Sequence, residues 1–410
     1  MHVVVVGGGV IGTTSAHALL EAGHEVTVVD RGRDGDGVAT NVNAGLISPG
    51  HALAWASPAM LARLPAVLSN RTPQLRVRAH FDPHLVRWGM SFVRNCTAGR
   101  ARRTSLLRAE LGERSRVLLD RMIAEFAIDC GRAEGMLFVH TSDAALSQQF
   151  AAMQVLRDDG HDLRAVDRDG CLRLEPALAG ADLAIAGAIH HPTGFTADSA
   201  AFTAALGRIC REQGARLVSA DVTGFESRGE QVVALVTDRG RIPADAVVVA
   251  GGVHTAALLG RSGRRLRLYP VAGLGLTWDG VPEELAPRLG GIDETNLVAW
   301  SRADGRLRVT GIAEFNRFST RVHPADLHQV TQGAYRLFPW LTSLGRPRVG
   351  VGFRPMTADG LPKIGHWRGN VFVNAGHANL GWTMACGAAE LLAASVAGQA
   401  DGPLATAFAP

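Results

Sequence analysis

Cysteine is scarce in this chain. There are five in 410 residues, at positions 96, 130, 171, 210 and 386, an odd number with no CxxC pair. That scatter excludes a zinc site of the paired-cysteine type and a disulfide framework, so no metal site is expected. It suits a reducing, cytosolic compartment. Long apolar runs are missing too. No stretch approaches the ~18 uninterrupted apolar residues of a membrane span, so no transmembrane helix is expected. The N-terminal valine run follows only His2 and is broken at once by three glycines, which does not read as a signal peptide. Nor is there an excess of one charge: 42 Lys and Arg stand against 38 Asp and Glu, a net +4. So small an excess does not suggest a nucleic-acid binder. Internal repeats and low-complexity tracts are absent. With hydrophobic residues at 47% and charged residues at 20%, the composition is that of an ordinary globular protein.

What is present begins at residue 3. Val3 to Val6 is a β-branched run of the kind found in buried parallel strands. Val10 to Ala22 reads as a helix closed by Gly23, and Glu25 to Val29 as the next strand, ending at Asp30. Between the first strand and the helix, Gly7, Gly9 and Gly12 spell GxGxxG. The first glycine permits the tight turn, the second lets backbone approach a pyrophosphate, and the third allows close helix–strand packing. The helix N-terminus, at Val10 and Ile11, offers N–H groups and a positive dipole end to phosphates. Asp30 can accept hydrogen bonds from ribose hydroxyls and would repel the 2′-phosphate of NADP. It leaves NAD and FAD equally open.

Farther on, Arg31 to Asn43 is polar and reads as a loop. Residues 57–130 read as mostly helical. Ala101 to Phe126 is the clearest case, with Leu107, Leu111, Leu118, Met122 and Phe126 on one face. Its arginines raise the question of anionic lipid, but interspersed acids favour a solvated face. Helices are expected again at Ser199 to Glu212, Ala325 to Phe338 and Leu380 to Val396. Strands are expected at Met136 to His140, Ala184 to His190, Ala215 to Ser219, Val232 to Thr237, Ala246 to Ala250, Arg267 to Thr277, Leu297 to Ser301, Arg306 to Thr310 and Val371 to Asn374. This interleaving of α/β with α+β segments suggests a Rossmann-like dinucleotide domain assembled from separated pieces, with a second, mixed or antiparallel sheet domain inserted. The expected division is 1–80, 195–262 and 345–410 for the nucleotide, and 81–194 with 263–344 for the substrate and a helical arm.

Three later segments carry a resemblance. Asn43-Ala44-Gly45-Leu46-Ile47-Ser48-Pro49-Gly50, followed by Trp55, is the first. Gly352-Phe353-Arg354-Pro355-Met356-Thr357-Ala358-Asp359-Gly360-Leu361-Pro362 is the second. Gly376-His377-Ala378-Asn379-Leu380-Gly381-Trp382-Thr383-Met384-Ala385-Cys386-Gly387 is the third. Together with Thr310 to Glu314 they resemble, in order and over nearly the whole chain, the bacterial FAD-dependent D-amino acid dehydrogenases of the D-amino acid oxidase and glycine oxidase superfamily. The resemblance implies FAD as cofactor, bound between a nucleotide domain and an antiparallel-sheet substrate domain. It implies oxidative deamination: hydride from Cα to flavin N5, then imine hydrolysis to a 2-oxo acid, with electrons leaving to a quinone or other carrier. Peripheral contact with the inner face of the cell membrane goes with that acceptor.

The cofactor set that follows includes, beyond the glycine turn, Asp30 and Arg31, the loop Asn43 to Leu46, and Val222. Ala250, Gly251 and Gly252 belong to it, as do Gly376, His377 and Asn379 to Thr383. A helix N-terminus near Gly381 would stabilise an anionic reduced flavin. In the family the arginine matching Arg354 holds the amino-acid carboxylate, and a guanidinium fork suits that bidentate task. The substrate amine must lose a proton first, which needs a base or a shifted amine pKa. His51 stands where the family has tyrosine, and either replaces its contact or faces solvent. His377 either reacts or supports its loop. Tyr269, one of two tyrosines, is a candidate substrate contact, and Glu314 belongs to the pocket wall or to an ion pair.

Departures from the family cluster on the substrate side. Tyr269-Pro270-Val271-Ala272-Gly273-Leu274 stands where the family reads Tyr-Pro-Leu-Lys-Gly-Tyr. Pro192-Thr193-Gly194 lacks an acidic residue, and Asn379 replaces a small polar one. A less polar pocket favours a bulky apolar, cyclic or N-substituted amino acid. Three other readings stand beside this one: an oxidase of glycine, sarcosine or a cyclic amino acid such as D-hydroxyproline, a non-catalytic electron-transfer subunit, and an NAD dehydrogenase. Retained Arg354 argues against the second, and the C-terminal flavin motif against the third.

Overall fold

The computed structural model describes all residues except 33–36, 73, 79–80 and 261–265. The expected boundaries at 80 and 262, and part of the loop from Arg31, lie outside the described residues.

The valine runs pair as the sequence suggests. His2–Val6 lies parallel to Glu25–Asp30 on one side and to Ala246–Val249 on the other. Arg216–Ser219 and Val371–Ala375 extend this sheet outward, and Lys363–Arg368 closes it antiparallel. Val3, Val4 and Val5 are fully buried because both faces are covered: helices lie over Val3 and Val5, and the three-stranded sheet of Val222–Arg228, Gln231–Thr237 and Gly240–Pro243 lies on the face of Val4. One cover is the helix Val10–Glu21, stopped at Gly23 with φ +79. Another is Gly381–Val396, whose Ala385, Ala388 and Ala389 are buried. Small residues there allow backbones to meet: a Cβ on Gly387 would stand 2.9 Å from the Leu111 carbonyl oxygen.

Leu111 belongs to the long arm helix Ala98–Glu125, and here the structure corrects the expected face. The buried stripe is Thr104, Ser105, Arg108, Leu111, Gly112, Ser115 and Leu119, against the C-terminal helix. Leu107, Leu118, Met122 and Phe126 are only partly buried beside it. A helix packing on another helix needs small residues at the crossing, and the apolar pattern alone does not reveal that. The expected loop from Arg31 also contains a short helix, Ala39–Val42.

The second sheet has ten strands. Its main path runs Arg348–Thr357, Leu268–Asp279, Arg306–Phe315, Val298–Ala303, Gly290–Asp293, Ala133–His140, Gly187–Thr196 and Leu46–Ile47. Arg348–Thr357 falls in the segment expected for the nucleotide unit, yet it pairs residue for residue with Leu268–Asp279 in this larger sheet. That strand reaches the other unit at its far end, where Met356 bridges to His377. Strands Gly290–Asp293 and Arg348–Thr357 are not evident from the sequence, because glycines and prolines interrupt their alternation.

Candidate active site

A cavity of about 1760 Å³ runs between the two sheets. That exceeds the ~300–1,000 Å³ usual for a single ligand. It begins at the glycine turn, where the sterics expected of Gly7 and Gly12 are seen. Gly7 has φ +112, and a Cβ there would lie 2.6 Å from the Ala250 carbonyl oxygen. A Cβ on Gly12 would lie 1.8 Å from the Gly7 carbonyl oxygen, so Gly12 packs the helix onto the turn and does not face the cavity. Asp30 accepts from the Gly8 N–H at 2.7 Å and the Gly32 N–H at 2.8 Å, which fixes its carboxylate at the cavity wall. The helix beginning at Val10 has no side-chain cap at Gly9, but Thr40 Oγ1 accepts from the Val10 N–H at 3.1 Å. Thr40 was not anticipated. It sits in the short helix that polar composition disguised as loop.

Toward the middle, Arg31, Val222, Ala250, Gly251 and Gly252 line the wall, as do Asn43, Ala44 and Leu46. Gly45 does not. It turns at φ +71 while Asn43 Oδ1 accepts its N–H at 2.8 Å. Thr383 Oγ1 donates to the Leu46 carbonyl at 3.1 Å and accepts from the Ser48 N–H at 3.3 Å, tying the third motif to the first. Asn379, Leu380, Gly381, Trp382 and Thr383 all face the cavity, whereas Gly376 is behind them at φ +88. Ala378 takes φ +53 between them, a left-handed conformation that costs an alanine energy.

His377 lines this end with its Nε2 buried and unpartnered. Burial pulls its pKa down to about 3, so the ring is neutral at physiological pH. Asn379 has a partner the sequence does not signal: Arg108 of the arm helix donates to its Oδ1 at 2.9 Å and to the Leu53 carbonyl at 3.2 Å. Arg108 is 1% exposed, and burial draws its pKa to about 10. An arginine inside a helical stripe was the available clue, obscured by the many exposed arginines around it.

Arg354 occupies the opposite wall. Its Nη1 donates to the carbonyls of Ala272 at 3.3 Å and Ile312 at 3.1 Å. Ile312 has φ +61, a strained position for a β-branched residue. The strain accompanies a bulge in the pairing of strands Leu268–Asp279 and Arg306–Phe315. Beneath the guanidinium, a Cβ on Gly273 would meet all its terminal atoms at 2.5–2.6 Å. Gly273 therefore makes room for the arginine head. Among the described residues no carboxylate comes within ion-pair distance of Arg354. Its surface is partly open to the cavity yet remote from bulk water, and burial lowers its pKa to about 10, still charged at neutral pH. A guanidinium so placed is complementary to an incoming carboxylate.

His51 also lines the cavity, with Nε2 2.6 Å from Oε1 of Glu294. Tyr269 does not reach it. That residue is fully buried, its hydroxyl donates to Asp82 Oδ2 at 3.1 Å, and burial and then Asp82 raise its pKa. Tyr269 pairs with Met356 on the same sheet face as Arg354, one step farther along, where Trp88 and Phe315 pack over it and close it off from the cavity. Glu314 resolves to an ion pair with Arg78 at 2.7 Å.

Residues 2–395 match the model of the family described as FAD dependent oxidoreductase. The chain belongs to that family. This FAD-dependent oxidoreductase is 39% identical to the D-amino acid dehydrogenase of Rhizorhabdus wittichii, and 36% identical to D-amino acid dehydrogenase 2 of Mesorhizobium japonicum. Each alignment covers 97% of both chains. In fold it is similar to the crystal structure of glycine oxidase from Geobacillus kaustophilus, with a TM-score of 0.77 and 24% identity over 99% of this chain and 97% of that one. The mixed α/β architecture with an FAD-binding region and a further sheet is thus the family's own, and an amino acid is its kind of substrate.

The cavity fits FAD. Gly7, Gly8 and Gly9 line the cavity beside a helix N-terminus, where they would hold a pyrophosphate; Asp30 would receive ribose, and the buried, unpartnered His377 Nε2 would find a polar partner in the group. Arg354 shares this cavity with His51, Leu53, Trp55, Met60, Leu274 and Glu294.

Proposed function

We propose that this FAD-dependent oxidoreductase is a dehydrogenase of D-amino acids with apolar or cyclic side chains, passing its electrons to a quinone or similar carrier. The observation that carries the reading is Arg354, a charged guanidinium on the cavity wall with no carboxylate partner among the described residues. It holds the substrate carboxylate, and holding it fixes the angle of the Cα–H bond. Bound FAD supplies the two-electron acceptor for oxidation of the C–N bond. The walls exclude water around that bond, since Leu53, Trp55, Met60, Leu274 and Ile312 line this end. The imine then hydrolyses to a 2-oxo acid and ammonia, or stays cyclic if the substrate was a ring amine. The two curated relatives support the choice of a D-amino acid.

A surface feature supports the acceptor. From Ser57 to Ala109 there are ten arginines and a single acid, Asp82. On the helix Pro83–Asn95, Val86, Met90 and Val93 are exposed in one stripe, flanked by exposed Arg87 and Arg94. Exposed apolar residues beside unbalanced positive charge suit the inner face of a membrane. No helix among the described residues is long and apolar enough to cross one.

Anaerobic mixing with a panel of D-, L- and N-alkyl amino acids tests the reaction. Apolar D-amino acids should bleach the flavin. Preference for a cationic D-amino acid would contradict the pocket reading, and bleaching by glycine or sarcosine alone would favour a secondary-amine enzyme. Re-oxidation by a quinone analogue without peroxide release checks the acceptor, and sedimentation with anionic vesicles checks the membrane contact.

A further inference from the structure

His51 and Glu294 stand 243 residues apart in the chain, yet they meet on the cavity wall. His51 sits on the short 3₁₀ turn Pro49–His51, and Glu294 follows the strand Gly290–Asp293. The two side chains are 24% and 12% exposed, and the His51 ring leans on Phe138 at 4.8 Å between centroids. A carboxylate 2.6 Å from Nε2 selects the tautomer with its proton on that nitrogen, leaving the Nδ1 lone pair as the basic site. Three other acceptor groups of the cavity are differently engaged. Asp30 is tied to the glycine turn, Asp221 lies near Arg31, and His377 is neutral.

We propose that His51 takes the proton from the substrate ammonium and that Glu294 is its positioning residue. This rests on the amino-acid reading above. In the step the substrate N–H bond breaks, the proton passes to His51 Nδ1, and the nitrogen keeps its electron pair as a neutral amine. Glu294 offsets the resulting imidazolium charge. The surroundings do not compete for that proton. His140, on the strand Ala133–His140, is buried with its pKa lowered mainly by desolvation. His191, packed against Gly50, is held down to about 3, with His161 and Arg116 nearby. Asp293 is occupied by the N–H groups of Thr295 and Asn296. Arg108 faces the adjoining turn at the Leu53 carbonyl.

The test is the pH dependence of flavin bleaching by substrate in holoenzyme carrying Glu294→Gln or Glu294→Asp. Removing the carboxylate destabilises the imidazolium, so the acid limb of the reduction rate should move down by about one pH unit. The plateau rate should fall about 10–100-fold, and Glu294→Asp should recover part of both. Nitrogen-15 spectra of labelled histidine in the resting holoenzyme should show His51 as the Nε2–H tautomer in the wild type and a mixture in Glu294→Gln. A plateau that falls while the acid limb and the tautomer stay put would make the pair structural and overturn the inference. A wild-type flavin that no amino acid bleaches would instead sink the amino-acid reading, and this inference with it, whatever the spectra show.

Discussion

The two ends of the cavity are built on opposite principles. At the nucleotide end the ligand meets backbone. Gly7, Gly8, Gly9, Asp30 and Thr40 lie within 34 residues of one another, and their polar groups are already bonded to neighbours. At the substrate end the ligand meets side chains: His51, Gly273, Glu294, Ile312 and Arg354 are spread over 300 residues. There Arg354 meets no carboxylate among the described residues, and strain is kept at Ile312. The first design binds a fixed shape through sterics. The second stores unsatisfied electrostatics for a ligand to complete, at some cost in stability.

Four perturbations test that contrast. The largest effect is expected from Arg354→Ala, which should cut kcat/KM by about 10³-fold, roughly 4 kcal/mol, because it removes the buried charge that receives the carboxylate. Flavin content should stay normal, and loss of flavin in this variant would blur the two ends. Gly12→Val should do the reverse. Its side chain collides with the Gly7 carbonyl, so FAD affinity should fall at least ~100-fold by fluorescence titration.

The third is a pH effect. His191 is fully buried with its pKa lowered to about 3, so its folded-state pKa lies below the unfolded value. Its contribution is fully present above pH ~6.5 and is lost as pH falls from there toward 3, at about 1.4 kcal/mol per pH unit. His191→Gln should therefore flatten the acid side of a urea-stability profile, with a relative gain of about 2 kcal/mol at pH 5. A parallel profile would contradict the burial argument. The smallest effect is Ala378→Gly. Relief of φ +53 should stabilise the holoenzyme by roughly 0.5–1 kcal/mol and raise Tm by a degree or two.

The nucleotide end was legible because its signals are local. Strand, GxGxxG, helix and Asp30 are contiguous, and each glycine has a steric reason that can be read in place. The substrate end was legible only where a motif marked it, as at Arg354 and His377. Glu294 carried no pattern of its own and Arg108 only its place in a helical stripe, while Tyr269 shares a sheet face with Arg354 but is covered by Trp88, about 180 residues earlier in the chain. The buried face of the arm helix was read one stripe away for a similar reason: its partner, Gly381–Val396, is some 260 residues later and demands small residues at the contact.

By itself the sequence determined the parallel valine sheet, the nucleotide turn and the family to which the chain belongs, since steric rules acting over a few residues suffice for these. Only the tertiary structure decided that Arg354 meets no carboxylate among the described residues, that His51 meets Glu294, and that Trp88 covers Tyr269. Those facts depend on pairing between distant strands and on what burial leaves unsatisfied, which no local pattern encodes.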